Sequence, residues 1–285
     1  MSQIDTNRFP YNKIKAVTLD GGNEMVYIPK IYVKNEVESV DNKNLIKRYI
    51  SNVKLDGYHC HPAFMQSGHE QKGLYISAYP YGTGGGTSYS KAGLTTQYST
   101  LTEAKTAVEN LYSQINKPCH LYNIYEHHLL ALLMLIEYGT TNLQQEIGGS
   151  ADAMDVEHYG IHDIWGATNY AIWLDGIKTD AEYICVFDNL GNGTWVQTAA
   201  TLKSTAGYPV DIKLNTGEGY DLNDLFLGQN ISSTYEEGSF GDKQDLNTVN
   251  RVFSTWAGKT GFAGPFAITT NQNTDTEAFR FCAFA

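Results

Sequence analysis

The chain has 285 residues, 42% of them hydrophobic, with 20 Lys and Arg against 31 Asp and Glu and a formal charge of −11. That length can bury a substantial core in one large domain or two small ones. The acidic balance and the lack of any basic block exclude a general binder of nucleic acid or anionic membrane, because neutralising phosphates takes clustered Lys and Arg.

Charged residues make up only 18%, beside 27 Gly and 20 Tyr, a composition suited to loop-rich β structure with polar-aromatic surfaces. Cys60, Cys119, Cys185 and Cys282 are scattered and form no C-x-x-C pair, so free thiols are expected. The opening MSQIDTNRFPYNKIK has no apolar signal core, so the general secretory route is not indicated.

Residues 1–22 are polar, and Asp20-Gly21-Gly22 marks a turn. Residues 25–33 read as a strand interrupted by Pro29, which suits an edge position or a bulge because proline cannot donate to a central ladder. The charged stretch 35–55 is expected to be a hairpin or loop excursion. The runs GYHCHPAF (57–64) and GLYISAY (73–79) follow, joined by a short turn. In a strand, His59 and His61 fall on one face and Cys60 on the other, so only two metal ligands converge from that run. His69, His127, His128, His158 and His162 show neither zinc-finger nor H-E-x-x-H spacing, so the histidines are read as structural and no metal is expected. The loop YGTGGGTSY (81–89) lacks the G-K-[ST] of a P-loop. Its Tyr81 and Tyr89 are candidates for ligand contact.

Thr100-Leu101-Thr102-Glu103 has the capping-box pattern, and Leu101, Ala104, Val108, Leu111, Tyr112 and Ile115 recur at helical spacing until Pro118. A second helix is predicted over 122–138. Its eight unbroken apolar residues, 129–136, make it a core helix too short to span a bilayer, and no membrane insertion is expected. At its end, Glu137, Asn142 and Gln144 are expected to satisfy buried backbone groups. The stretch HYGIHDIWGATNYAIWLDG (158–176) sets Trp165 and Trp173 among Gly160, Gly166 and Gly176, which suggests a core where backbone passes close to rings. Residues 171–174 read as a buried strand closed by an Asp175-Gly176 turn, and 182–187 with 194–198 as a hairpin. Residues 199–240 show little periodicity, and Asp221 to Asp224 lacks the EF-hand spacing for calcium.

Five segments, in order, carry a family resemblance. MVYIPKIYVK (25–34) is similar to a V-x-I-P-K-F-Y-Y-K opening, 57–64 to G-x-x-x-H-P-A-F, 73–79 to Y-I-G-A-Y, and LIEYGTTNLQ (135–144) to L-I-E-Y-G-T-x-N-x-Q. Residues 159–176 resemble the G-x-x-D-x-x-G-N-x-W-E-W-x-D-G signature, with a departure at 167–170. These patterns are those of bacteriophage tail and receptor-binding proteins with a C-type-lectin fold of the formylglycine-generating-enzyme type. Phage tropism determinants and retroelement-diversified variable proteins belong to the same group.

The resemblance implies an α+β, C-type-lectin-like fold with two helices and short twisted antiparallel sheets. An N-terminal segment, 1–24, would precede a single domain, 25–285, with insertions at 35–55 and 199–250. AFRFCA (278–283) resembles the closing strand, and the loops before it form the ligand surface in that family, which makes Trp256, Phe262, Asn271 and Asn273 contact candidates. The function implied is a non-enzymatic virion component at the tail tip or fibre, made in the host cytoplasm. It would contact a bacterial surface receptor, protein or glycan, beside other virion proteins, as a homo-oligomer with a trimer the leading arrangement and no cofactor. An architectural virion protein without receptor contact is the alternative. The family's enzymatic relatives need a reactive cysteine pair in the C-terminal part, where only Cys282 lies, and no nucleophile elbow is present. The E-P-N, Q-P-D and W-N-D sequences of sugar-binding animal lectins are absent, so the fold name carries no sugar specificity.

Overall fold

The computed structural model describes residues 7–40, 43–147, 156–167, 170–181, 183–188, 193–201, 207–212, 224–225, 227–232, 244–245, 252–255, 268–272 and 274–285. In chain order, the first half gives β1 (Lys15–Leu19), β2 (Asn23–Pro29), β3 (Tyr32–Val40), β4 (Lys43–Ser51), β5 (His59–Cys60), β6 (Gly73–Ser77), α1 (Leu101–Glu109), α2 (Tyr112–Ile115), β7 (Cys119–Leu121), α3 (Ile124–Tyr138) and α4 (Leu143–Ile147). The second half gives β8 (Trp173–Asp180), β9 (Tyr183–Phe187), β10 (Trp195–Thr201), β11 (Tyr208–Ile212), β12 (Gly228–Ser232), β13 (Gln244–Asp245), β14 (Val252–Thr255), β15 (Ile268–Asn271) and β16 (Phe281–Phe284). The class is α+β, with α1 and α3 as its long helices and several small antiparallel sheets.

Strand alternation explains the centre of the molecule. Sheet β1-β2-β6-β16-β7 is antiparallel, and its register sets Val26 beside Ile76, and Ile76 beside Cys282. Residues two apart share a face, so Val26, Ile28, Leu74, Ile76, Cys282 and Phe284 pack on one side with α3. Met25, Tyr75 and Phe281 pack on the other, with Ala104 and Val108 of α1, Ile115 of α2, and Trp173. The closing strand β16 therefore lies inside the sheet, between β6 and β7.

Several expectations change here. Strand β2 is interior rather than an edge, and Pro29 causes no loss because it ends the strand beyond the stretch that β1 covers. Residues 15–19, within the segment set apart by sequence, join this sheet as β1. The capping box at Thr100 and Glu103 is present, with Thr100 N donating to Glu103 Oε2 at 2.9 Å. The single helix expected over 101–115 is two: the Leu111 N–H bonds Val108 O in a tight turn, and α2 ends at left-handed Asn116. The buried face of Ala104, Val108, Leu111 and Ile115 survives the break. Helix α3 starts at Ile124 because Asn123 caps it, accepting from Tyr125 N and Glu126 N, and it ends at Gly139 with φ 66°. Among the described residues, no helix is long and apolar enough to cross a membrane.

The second sheet runs β10-β9-β8-β14-β15-β13, all antiparallel apart from the β13–β15 pair. Asp175-Gly176 does not end the strand at 174, as expected of a turn. It lies within β8 at a register shift against β14, with Gly176 at φ 71°, so the dipeptide forms an irregularity that bends the strand. Low periodicity at 199–240 concealed the paired strands β11 and β12, which are themselves irregular in register. The 35–55 stretch forms the β3–β4 hairpin, pairing from Tyr32 opposite Ser51 to Val40 opposite Lys43.

Candidate functional site

A cleft of about 470 Å³ opens where the two sheets approach each other. One wall comes from β7 and Phe284 of β16, and the other from Phe187 and Trp195, which are paired across the β9–β10 hairpin. Register puts Lys178, Phe187 and Trp195 on one face of the second sheet, while Ile177, Ile184 and Val186 face the core. Trp195 remains 41% exposed, with the Phe187 ring edge-on at 5.6 Å and Lys178 Nζ 4.6 Å from its centroid. Tyr125 Oη donates to Phe187 O at 2.7 Å and ties this wall to α3.

The floor is polar. Asp175 receives the Lys105 ammonium at 2.7 Å, its N–H bonds Tyr122 O at 3.0 Å, and its Oδ1 accepts from Gly176 N. Glu126, on the first turn of α3, is buried. Its Oε2 accepts from Asn123 N at 2.6 Å, and its Oε1 from Asn123 Nδ2 at 2.9 Å and from His120 Nε2 at 2.7 Å. His120 stacks on Phe284 with centroids 4.7 Å apart, and its side chain remains 26% exposed toward the cleft. Aromatic walls around a few convergent polar groups are the usual make-up of a ligand site.

Outside the cleft lining lies a set of buried polar groups. Arg280 is fully buried. Its Nη1 donates to Ser77 O, and its Nη2 to His162 O at 2.6 Å and Asp163 O at 3.2 Å. Burial pushes the Arg280 guanidinium below its ordinary pKa, but the group stays charged at any working pH. Tyr170 Oη donates to Asp163 Oδ2 at 2.5 Å. Asp224 is buried between His59 Nε2 at 2.6 Å and Asn35 Nδ2 at 2.7 Å. Burial raises its carboxyl, but the His59 hydrogen bond and neighbouring charges outweigh that and hold it below the usual range.

Trp165 and Trp173 are both buried, and Trp173 Nε1 donates to Ser99 O at 2.8 Å. Among the described residues, Glu137, expected to serve the backbone at its helix end, is bonded by side chains. Its Oε2 accepts from Tyr159 Oη at 2.7 Å and His158 Nε2 at 3.0 Å, because the 158–159 turn brings both side chains against α3. The Asn142 N–H bonds Thr140 Oγ1, and the side chain of Gln144 lies outside the described residues. Tyr81 stacks between Tyr89 at 5.1 Å and Phe279 at 4.5 Å, both tyrosines are half-buried, and burial pushes the Tyr81 hydroxyl up to about 12. These rings seat the exposed loop 83–87 on the second core. Asn271 ends β15, half-buried opposite Val252, and Trp256, Phe262 and Asn273 lie outside the described residues. Strand β5 ends at Cys60, so of the two histidines only His59 lies within it, and both are near the buried Asp224 carboxylate. The His61 backbone turns into a short 3₁₀ helix that its Nδ1 caps by accepting from Ala63 N.

All four thiols are free. Cys119 and Cys282 are on adjacent strands but on opposite faces of the sheet, since Cys282 pairs with His120 and Cys119 with Ala283. Sequence reading passed over His120, Glu126, Phe187 and Trp195. The N-x-x-E cap at 123–126 and the paired aromatics flanking the 188–193 turn were local signals. The meeting of His120 with Cys282 depends on a pairing more than 160 positions apart. Neither a family model nor a curated protein matches the chain.

Proposed function

We propose that the chain is a non-enzymatic bacteriophage tail protein with a C-type-lectin-like fold, at the tail tip or fibre, that presents a receptor-contacting surface to the host cell. The observation that carries this reading is the convergence of the segments on which the family resemblance rests. Segments 25–34 and 73–79 pair as neighbouring strands. The His162 N–H bonds Ala78 O, Arg280 of the closing segment holds Ser77, His162 and Asp163, and Glu137 holds Tyr159. Motifs scattered over the chain thus behave as one hydrogen-bonded scaffold, with the 35–55 hairpin, the loop 83–87 and the Phe187–Trp195 hairpin between them.

The contact surface on this reading consists of the late segments carrying Trp256, Phe262, Asn271 and Asn273, together with the Trp195 cleft. Aromatics beside Asn, Asp and Lys offer wide contact area with adaptable hydrogen bonding at modest entropic cost. Burial raises the Cys60 thiol to about 12 and also raises that of Cys185, which keeps both as poor nucleophiles and favours binding over cysteine chemistry. Assembly as a homo-oligomer, a trimer first, multiplies weak contacts.

Labelled chain incubated with a panel of bacterial cells tests the proposal. Retention on a susceptible host should fall on Trp195→Ala and on the Trp256→Ala, Asn271→Ala double change, with folding intact by circular dichroism. Retention unchanged in every variant, or a particle structure placing the chain in the interior, would leave the architectural alternative. A monomer mass by light scattering would remove the oligomer.

A further inference from the structure

We propose that His120, Glu126 and Cys282 form a binding site for one divalent transition-metal ion, best zinc, open to the cleft on its remaining side. The inference is independent of the host-attachment reading and rests on the convergence of three elements. In the β7–β16 pair His120 lies directly opposite Cys282, and directly opposed residues project to the same face with Cβ atoms roughly 4.5–5.5 Å apart. The first turn of α3 brings in Glu126, and the ligand atoms of the three side chains all lie within 4.8 Å of one another. Zinc bonds of about 2.0–2.3 Å put tetrahedral donors roughly 3.3–3.7 Å apart, so closing on an ion asks for side-chain shifts of about 1 Å.

The donor set selects the ion. A soft thiolate and a borderline imidazole beside one carboxylate suit zinc over calcium or magnesium, which prefer oxygen alone. Glu126 is pre-positioned, because its Oε2 is held by the Asn123 N–H while Oε1 already faces His120 Nε2. Zinc takes the place of the proton between Nε2 and Oε1, which passes to the ring's Nδ1 so that the imidazole stays neutral, and the thiol proton of Cys282 is released to solvent. Thiolate and carboxylate then neutralise the ion's two charges, which lets it reside beside groups that are themselves sealed from water: Glu126 and Cys282 are buried, and only His120 reaches the cleft. The cleft is therefore the ion's entry path, and water from it completes the coordination. Sequence spacing conceals the site, since its ligands come from positions 120, 126 and 282.

The test uses the full chain and the metal alone. After dialysis with zinc and then against metal-free buffer, elemental analysis should find one equivalent per chain. Titration with cobalt should give the visible bands of a tetrahedral site and a sulfur-to-metal charge-transfer band. Cys282→Ser should abolish that band and Cys60→Ser should leave it. Because Cys282 lies in the core, His120→Gln, at a partly exposed position, is the second variant: it should weaken retention by at least roughly tenfold and remove the rise in melting temperature that zinc gives the unchanged chain. No retained metal, no charge-transfer band, or a band that survives Cys282→Ser would overturn the proposal.

Discussion

The two large sheets are built from the same alternation of side chains, but they differ in what covers them. The five-stranded sheet has an apolar core on each face, with α3 against one and α1 and α2 against the other. The six-stranded sheet buries Ile177, Ile184 and Val186 on one face and leaves Lys178, Phe187 and Trp195 on the face that opens to the cleft. Its registers are also less regular, with shifts between Leu174 and Lys178 and between Tyr183 and Cys185. A doubly covered sheet has no surface left for a partner, whereas among the described residues the second sheet keeps an exposed aromatic at Trp195 that can serve recognition. On the proposed function, the contrast assigns stability to one region and contact to the other.

Two tryptophans put that contrast to its largest test. Trp173 is fully buried against the α1 side of the central sheet and its indole N–H is bonded to Ser99 O, so Trp173→Ala should cost about 3–5 kcal/mol. Trp195 is 41% exposed on the cleft, and Trp195→Ala should cost under about 1 kcal/mol and, on the proposed function, reduce retention on host cells. Denaturant midpoints of the two variants measure the difference. Equal losses of stability would mean that the outer face is part of the core after all.

Acid should separate the regions next. Burial, the dominant influence, pushes the His61 imidazole down to about 4, and its Nδ1 is occupied as an acceptor from Ala63 N, a role only the unprotonated ring can fill. The unfolded chain takes up this proton near pH 6.5 and the folded chain only near 4, so stability is fully present above about 6.5 and declines as pH falls between the two values. The loss should reach about 3 kcal/mol. Urea melts at steps from pH 7 to 4 should show it, and His61→Gln should flatten the slope over that window. A slope unchanged in the variant would assign the acid sensitivity to other groups.

Much of this division could be read from local sequence. Capping residues at Thr100 and Asn123, the apolar run of α3, the burial of Trp165 and Trp173 and the hairpin after 182 all depend on neighbours a few positions away, where propensity and spacing act directly. The parts that escaped are non-local. Nothing near Pro29 tells that β2 is flanked on both sides, because that depends on where β6 returns. Glu137 found Tyr159 and His158 for the same reason, and Asp224, in a stretch without periodicity, proved to anchor Asn35 and His59. The cleft is the extreme case, since its walls come from residues as far apart as 120, 195 and 284.

Glycine offers the finest cut between the regions. Gly73, in the central sheet, has an ordinary backbone, but an added Cβ would meet the Tyr27 ring at 2.5 Å and Ile28 O at 2.8 Å, so packing alone excludes a side chain. At Gly176 the nearest atom to such a Cβ is Asn123 Cβ at 3.7 Å, an ordinary contact, and the constraint is the left-handed backbone at φ 71°. Gly73→Ala should therefore cost about 1–3 kcal/mol by overpacking, and Gly176→Ala about 1–2 kcal/mol by strain. The two causes separate on substitution by asparagine, which tolerates the left-handed region but is larger than alanine. Gly176→Asn should recover part of the loss seen with alanine, and Gly73→Asn should deepen it. If asparagine is worse than alanine at both positions, the bend in β8 is as tightly packed as the central sheet, and the freedom attributed to the cleft side is not there.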